Sequence, residues 1–337
     1  MPSLNRTVRL LWPITLALFA AASLPAQQAV IDRADQGAPT RPALPENLPS
    51  SSDQATDQDA GVQRIAANRK LPFKVTATFD EQLYATNNVF LTPADSTAKA
   101  ATILATTALV RVDGLAHSVG QTLLTPSVSF IWQRYLHGIT TTNSSIEDLD
   151  FDSFSLPVSA SLRFGTGWEA TATFTSSALY SVLGSPTYEL LFRSYAPSLS
   201  LRKIFEIKES RYLIAGLTTT YADTWTSASG VSSDRNDRAD LALDLAYLHL
   251  AGPWTLNPYA RASGSHYFGW QEAIRQNYDR EDLTLSTGLS LSYALKNWGS
   301  LRTFASYDWR LSDSDSSVDY TYHSGTAGLG VTLTVRY

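Results

Sequence analysis

The residues best suited to proton transfer or nucleophilic chemistry are five histidines, two of which precede a serine. They are His117, His137, His249, His266 and His323. A histidine that activates a serine hydroxyl, with a third polar group orienting the ring, is the arrangement used in nucleophilic hydrolysis. In His117-Ser118 and His323-Ser324, however, neighbouring side chains point to opposite faces if the segment is a strand. The adjacent pairs therefore predict no catalytic dyad. Partners from other strands remain an alternative, but we expect no enzyme.

Acidic residues in metal-loop spacing are the second candidate. Asp313, Asp315 and Asp319 begin like a calcium loop, but Val318 stands where glycine is needed, and Ser324 stands where a bidentate glutamate belongs. The chain contains no cysteine, so disulfides, thiolate metal sites and a lipid-anchored N-terminal cysteine are excluded. We predict neither a resident metal nor a cofactor.

A third set of charged residues falls on the polar side of alternating segments. These residues are Lys74, Asp80, Arg163, Arg193, Asp240, Asp244, Arg261, Arg302, Asp308, Arg310 and Arg336. If they pair across strands, they cross-link a closed interior, because unpaired buried charge is costly. If they face water, they set ion selectivity, as charged rings do in pores. We predict that they line a lumen.

Alternation of apolar and polar residues predicts strands along most of the chain. In Asp282–Lys296, the leucines at 283, 285, 289, 291 and 295 share one face and mostly small polar residues share the other. A helix would spread these leucines around its axis, whereas a strand places them on one side. Similar segments predict about twelve strands. They lie near 72–84, 100–112, 124–136, 151–164, 168–180, 187–202, 211–225, 238–250, 254–268, 282–296, 299–311 and 320–337.

The connections between these strands alternate between short and long. Gly165–Gly167, Ala251–Pro253 and Asn297–Gly299 predict tight turns, and the other connections are mostly long and polar. The long ones are 85–99, 137–150, 226–237, 270–281 and 312–319. Two irregularities stand out. The 113–123 connection is longer than a tight turn. At 195–197 the apolar residues move from one set of alternate positions to the other, which predicts a β-bulge.

The N-terminal region differs in composition from the strands. Met1–Ala26 has a basic start, an apolar run and small residues, which is typical of a secretory signal cleaved between Ala22 and Ala26. A retained membrane anchor is the alternative, but the apolar run is shorter than the roughly 20 residues that a spanning helix needs, and Pro13 interrupts it. Residues 27–70 are rich in proline and polar residues, which predicts disorder. The remaining region, 71–337, carries the strands.

The C-terminal strand indicates where the exported chain resides. Leu329, Val331, Leu333, Val335 and Tyr337 share one face and end on an aromatic residue. Outer-membrane barrels close with such a lipid-facing strand, and an even strand number with short turns on one rim and long loops on the other fits them. We predict an all-β fold, a transmembrane antiparallel up-and-down β-barrel in the cell outer membrane of a Gram-negative bacterium. Leu333, Val335 and Tyr337 are the predicted barrel-assembly signal. A soluble β-sandwich is the alternative, since its sheets also alternate.

A short segment after the first strand carries a family resemblance. The residues Phe79–Pro93 read FDEQLYATNNVFLTP, with Asn87-Asn88-Val89-Phe90 followed by Leu91-Thr92-Pro93. This segment resembles the opening of the putative β-barrel porin 2 family, in which an acidic residue is common where Asn87 stands. The resemblance implies a barrel, and some members of that family are tied to exopolysaccharide or exosortase systems. It implies no catalytic residue.

The predicted function is a passive pore for ions or small hydrophilic solutes, with a slight preference for anions. Barrels of about 8 strands are filled by side chains and those of about 16 carry open channels, so about twelve strands allow a narrow lumen. The segment 27–70 is a candidate plug. The alternatives are a structural or assembly barrel linked to surface-polysaccharide export and, with less support, an outer-membrane lipid hydrolase.

The expected partners follow from this location. They are outer-membrane lipids and lipopolysaccharide, the barrel-assembly machinery, and small solutes or ions. Acidic residues in the long loops, such as Glu147 and Asp148, have two interpretations: divalent-ion bridging to lipopolysaccharide phosphates, or simple solvation, which we favour. The charged fraction of 17% and the net charge of −5 give no case for a nucleic-acid partner.

Overall fold

The structure is a closed antiparallel β-barrel of twelve long strands. It is a computed structural model that describes residues 30–34, 73–93, 99–139, 146, 149–182, 189–227, 234–268, 270–271, 276–277, 280–296, 298–314 and 320–337. The strands are β1 (Phe73–Thr86), β2 (Ala101–Gly114), β3 (Thr122–His137), β4 (Phe151–Phe164), β5 (Trp168–Ser181), β6 (Glu189–Lys208), β7 (Arg211–Thr226), β8 (Arg238–Ala251), β9 (Trp254–Tyr267), β10 (Arg280–Lys296), β11 (Gly299–Ser314) and β12 (Tyr322–Arg336). The predicted fold class and strand number are confirmed.

Each long strand pairs with its neighbours in the chain, and the last strand closes the barrel on the first. β12 pairs with β1 from Thr326–Thr86 to Arg336–Thr76, and the backbone of Tyr337 exchanges two hydrogen bonds with Val75. Closure leaves no open sheet edge among the long strands, so backbone donors and acceptors are satisfied by neighbouring strands.

The two faces of the strands differ as the alternation predicted. On β8, Leu241, Leu243 and Leu245 are exposed on the outer surface, whereas Asp240 and Asp244 line cavities in the lumen. The outward faces of the other strands are likewise apolar, so the exterior is an apolar band. Exposed aromatic residues lie near both ends of this band: Trp168, Trp254, Tyr293 and Trp298 at one end, and Tyr221, Phe268 and Trp309 at the other.

The connections divide the barrel into a short-turn rim and a long-loop rim. Gly165, Gly167 and Gly252 have positive φ values of 52°, 76° and 57°, which a tight turn requires and which glycine adopts without strain. The 113–123 connection is itself a small hairpin, because His117–Val119 pairs with Thr122–Leu124 at the start of β3. Its extra length therefore extends the sheet beyond the short-turn rim.

The predicted β-bulge at 195–197 is wrong. β6 keeps one register with β7 across this segment, and a register shift lies nearby, opposite Leu179 and Tyr180 on β5. The apolar parity changes because Phe192 is buried inside the barrel, whereas Tyr195 and Leu199 are exposed on the outer surface.

Part of the N-terminal region has an ordered position. Residues 30–34, which fall in the segment predicted to be disordered, are helical, and four of the five are buried. The predicted signal, residues 1–26, and the rest of 27–70 lie outside the described residues. Among the residues described, no helix combines the length and apolar character needed to cross a membrane.

Candidate lumen site and N-terminal plug

The short-turn half of the lumen contains a polar cavity of about 630 Å³. Its wall is built mainly from the inward face of the strands, which carries serine and threonine hydroxyls with scattered arginines. The charged lining residues are Arg111, Arg163, Glu169, Arg202, Asp244, Arg261 and Arg336. We call this space the arginine cavity. Its volume is in the range of pockets that hold small molecules.

Three charges on adjacent strands form the central feature of this cavity. Arg163 on β4 pairs in register with Glu169 on β5, which pairs with Arg202 on β6. The Nε of Arg163 lies 3.1 Å from one Glu169 oxygen, and Nη2 of Arg202 lies 2.7 Å from the other. One carboxylate thus serves two guanidinium groups, and the triad keeps one positive charge in excess.

The remaining charges of the cavity stand on other parts of the wall. Arg261 on β9 lies 3.5 Å from Asp244 on β8, and both are partly exposed. Arg336 of β12 and Arg111 of β2 flank Thr76 in one cross-strand row. Arg111 donates to Asp113 at 2.7 Å. Arg336 lines the cavity, and no ion pair is found for it among the described residues.

The seam between the first and last strands holds a buried polar cluster. Asp80 on β1 accepts hydrogen bonds from Arg302 of β11, Thr332 of β12 and Gln82. The Arg302–Asp80 contact is 3.1 Å, and the two side chains are only 9% and 12% exposed. These two predicted lining residues therefore serve to cross-link three strands.

The long-loop half of the lumen contains an apolar cluster built around residues 30–34. Val30 and Ile31 are buried in a cluster with rings and aliphatic side chains from β1–β6, β11 and two long connections. Their neighbours in the cluster are Tyr84, Val89, Ala101, Ile103, Tyr135, Ile146, Leu149, Phe151, Leu179, Phe192 and Phe304. We call residues 30–34 the plug. Burial of two large aliphatic side chains contributes about 2 kcal/mol each to its placement.

Charged residues anchor the plug at two points. Nη2 of Arg310 on β11 donates to Asp32 at 2.8 Å. Nη2 of Arg33 donates to the backbone carbonyls of Asn88 and Val89 at 3.1 and 3.2 Å. Because the second anchor uses backbone oxygens of the β1–β2 connection, the plug is tied to a long loop as well as to a strand.

The Asp32–Arg310 pair belongs to a larger buried network. Asp282 on β10 contacts both Arg280 and Arg310, and the Arg280 guanidinium stands over the rings of Tyr267 and Tyr320 at 4.4 and 3.8 Å. A second cavity of about 260 Å³ adjoins this network and includes Asp240 and Asp308 in its wall. The charges here are nearly balanced, in contrast to the arginine cavity.

The structure places most of the predicted lining residues on the lumen face. Arg163, Asp244, Arg261 and Arg336 line the arginine cavity, and Asp240, Arg261, Asp308 and Arg310 line the second one. Lys74 is two residues before Thr76, which lines the arginine cavity, and so lies on the same face of β1 at its short-turn end.

Arg193 differs from the prediction. Its neighbours Ser194, Ala196 and Ser198 line a lumen cavity, so Arg193 is on the opposite, outer face of β6. Its guanidinium stands 5.0 Å from the Trp225 ring. Phe192, which directly precedes Arg193, is an apolar side chain buried inside the barrel. An apolar residue on the lumen face reverses the apparent alternation, which is why Arg193 was assigned to the wrong face.

The alternative of histidine-based catalysis gains no support from the contacts of His323 and His137. Ser324 faces the lumen and is hydrogen-bonded to Thr86 at 2.9 Å, while His323 stacks with Tyr307, which is exposed on the outside. His137 is buried inside, where its Nδ1 lies 3.3 Å from Asp150. Asp150 also accepts a hydrogen bond from the backbone amide of His137, so this pair orders the end of β3.

Glu147, Asp148, Asp279, Asp315 and Asp319 lie outside the described residues. Within the described part of the chain, no three metal-ligating side chains come together.

Sequence reasoning missed four residues that matter here. Glu169 and Arg202 were not assigned to the lumen, although a tight turn at Gly165–Gly167 places residue 169 opposite Arg163 in the hairpin. Asp32 and Arg33 were included in a disordered segment. The signal for them was the apolar pair Val30-Ile31 beside two opposite charges in an otherwise polar stretch, but nothing local indicates where such a segment binds.

No family model and no curated protein matches this chain. The resemblance of Phe79–Pro93 to the putative β-barrel porin 2 family is therefore not confirmed. Similarity is found to solved structures. The outer-membrane channel COG4313 of Pseudomonas putida F1 is 9% identical, with 78% of this chain and 95% of that chain covered and a TM-score of 0.46.

Two autotransporter barrels are similar at a comparable level. The β-domain of Bordetella BrkA is 13% identical, covers 78% of this chain and 99% of its own, and gives a TM-score of 0.40. The translocator domain of NalP from Neisseria meningitidis is 11% identical, with coverages of 79% and 90% and a TM-score of 0.39.

Proposed function

We propose that this chain is an outer-membrane pore for ions or small hydrophilic solutes, closed at its long-loop end by the plug. The observation that carries the proposal is the arginine cavity: a space of about 630 Å³ inside a closed barrel, walled by hydroxyls and charges. A barrel that served only as a scaffold would gain stability by filling this volume with packed side chains. Of the predicted lining residues, Arg163, Asp244, Arg261 and Arg336 set the charge of the pathway at this cavity.

The apolar exterior supports the proposed location. Leucines at the centre of strands such as β8 and β10 are exposed, and a water-soluble barrel of this size would bury them or replace them by polar residues. Contact with acyl chains gives these surfaces a partner. Lipids and lipopolysaccharide are the proposed neighbours of this exterior.

Export and assembly complete the proposal. Residues 1–26 act as a cleaved signal, so the mature chain begins just before the plug. Leu333 and Val335, exposed on the outer face of β12, and Tyr337 after it form the motif that the barrel-assembly machinery would recognise.

Planar-bilayer recordings of the mature full chain test the pore and the plug together. We expect weak conductance from the wild type and a clear increase in Asp32→Ala/Arg33→Ala, because this variant removes both polar anchors of the plug. The matched control is Asp313→Ala/Arg193→Ala, which removes the same two charges from exposed positions. Silence of all three proteins would refute the pore, and equal conductance in all three would refute the plug.

A further inference from the structure

The described lining residues of the arginine cavity carry a net positive charge. Five arginines and two carboxylates are among its described lining residues. Asp113, which pairs with Arg111, offsets one more charge. The second cavity, by contrast, has three arginines and four aspartates in its wall. Positive potential is therefore concentrated in the short-turn half.

From this asymmetry we propose that the arginine cavity is a binding site for small anions that carry two or more negative charges, such as a tricarboxylate. The inference deepens the proposed function by naming a solute class, but binding can be measured whether or not the barrel conducts. Guanidinium groups bind carboxylate and phosphate oxygens through paired hydrogen bonds, which suits them to this class of ligand.

The distribution of the charges favours a multivalent anion. The Arg163–Glu169–Arg202 triad occupies β4 to β6, whereas Arg336 and Arg111 flank Thr76 on β12, β1 and β2. The closed order of the strands places these two groups on different walls of the same cavity. An anion with several charged groups can contact both walls, whereas a monovalent anion interacts strongly with only one.

The rest of the lining adds hydrogen-bond donors. Thr76, Thr125, Ser127 and Ser200 are among the hydroxyl-bearing residues of the cavity wall. The side chains of the triad are only 13% to 31% exposed, so their charges are less screened than charges on an open surface. Hydroxyls and partly desolvated guanidinium groups together replace the water that a multivalent anion loses on entry.

Calorimetric titration of the detergent-solubilised mature full chain with citrate tests this site, with acetate as the monovalent comparison. The decisive variant is Arg163→Gln/Glu169→Gln/Arg202→Gln, which removes one net positive charge and leaves no carboxylate without a partner. We expect the dissociation constant for citrate to rise about fivefold, as loss of one nearby charge implies. Arg193→Gln is the matched control, because it removes one positive charge from the outer face.

A variant with the opposite expected effect on citrate affinity keeps the test informative if the triple variant fails to fold. Glu169→Gln alone removes the carboxylate that both guanidinium groups share and should tighten citrate binding about fivefold. Heat-dependent migration on SDS gels reports whether each barrel is folded. Absence of citrate binding to the wild type, or equal weakening by Arg193→Gln, would overturn the site. Neither result depends on conductance, so the pore proposal is tested independently by the bilayer recordings.

Discussion

Asp32 and Arg310 are separated by 278 residues in the chain, yet Nη2 of Arg310 donates a 2.8 Å hydrogen bond to Asp32 inside the barrel. Both side chains are 7% exposed. A buried pair of this kind is costly to break from one side, because the remaining charge keeps its desolvation penalty without its partner. The contact therefore holds the plug against β11, at the end of the lumen opposite the arginine cavity.

Burial of the plug predicts that a cysteine placed in it is protected from reagents. The chain contains no cysteine, so a single introduced thiol reports one position. Ile31 is 1% exposed. We expect Ile31→Cys to react slowly with a bulky, water-soluble maleimide in the folded barrel and to react readily once Asp32→Ala/Arg33→Ala is added. Ser118→Cys, in the exposed hairpin at the other rim, is the fast-reacting control. Equal labelling rates at the two positions in the unaltered background would show that the plug does not occupy the lumen.

The buried polar cluster at the seam between β1 and β12 predicts that two aspartate substitutions lower the free energy of unfolding by different amounts. Asp80→Ala leaves Arg302 buried without its carboxylate, and we expect a loss of about 3 kcal/mol in the free energy of unfolding. Asp244→Ala breaks a pair whose side chains are 33% and 51% exposed, and it should cost about 0.5 kcal/mol or less. Urea titration in lipid vesicles, followed by tryptophan fluorescence, measures both. Similar losses for the two variants would contradict the assignment of Asp80 as a cross-link of the seam.

The apolar exterior predicts that the cost of a new charge depends on its position relative to the membrane. Leu243, near the middle of β8, and Leu115, beyond the end of β2, are 57% and 55% exposed. Leu243→Arg should destabilise the barrel in lipid vesicles by about 3 kcal/mol, because the charge lies at the midplane. Leu115→Arg should change stability by less than about 0.5 kcal/mol. If both variants are neutral, the exterior does not contact lipid.

Strand positions could be predicted because two-residue periodicity is a local property. In the segment 282–296 the alternating leucines identified both the strand and its outer face, and the glycines at 165 and 167 marked a tight turn. The lumen face of Arg163, Asp244 and Arg310 followed from the same counting. Counting failed at Arg193, because the apolar residue before it, Phe192, faces the lumen and so reverses the apparent alternation.

The sequence by itself determined that the chain alternates, turns and closes with an apolar exterior, because each of these depends on residues close together in the chain. Only the tertiary structure decided that Glu169 is shared by two arginines, that Asp80 joins three strands and that residues 30–34 occupy the lumen. These contacts depend on the register between strands and on closure of the barrel. Closure brings together residues hundreds of positions apart, and no local pattern encodes which of them will meet.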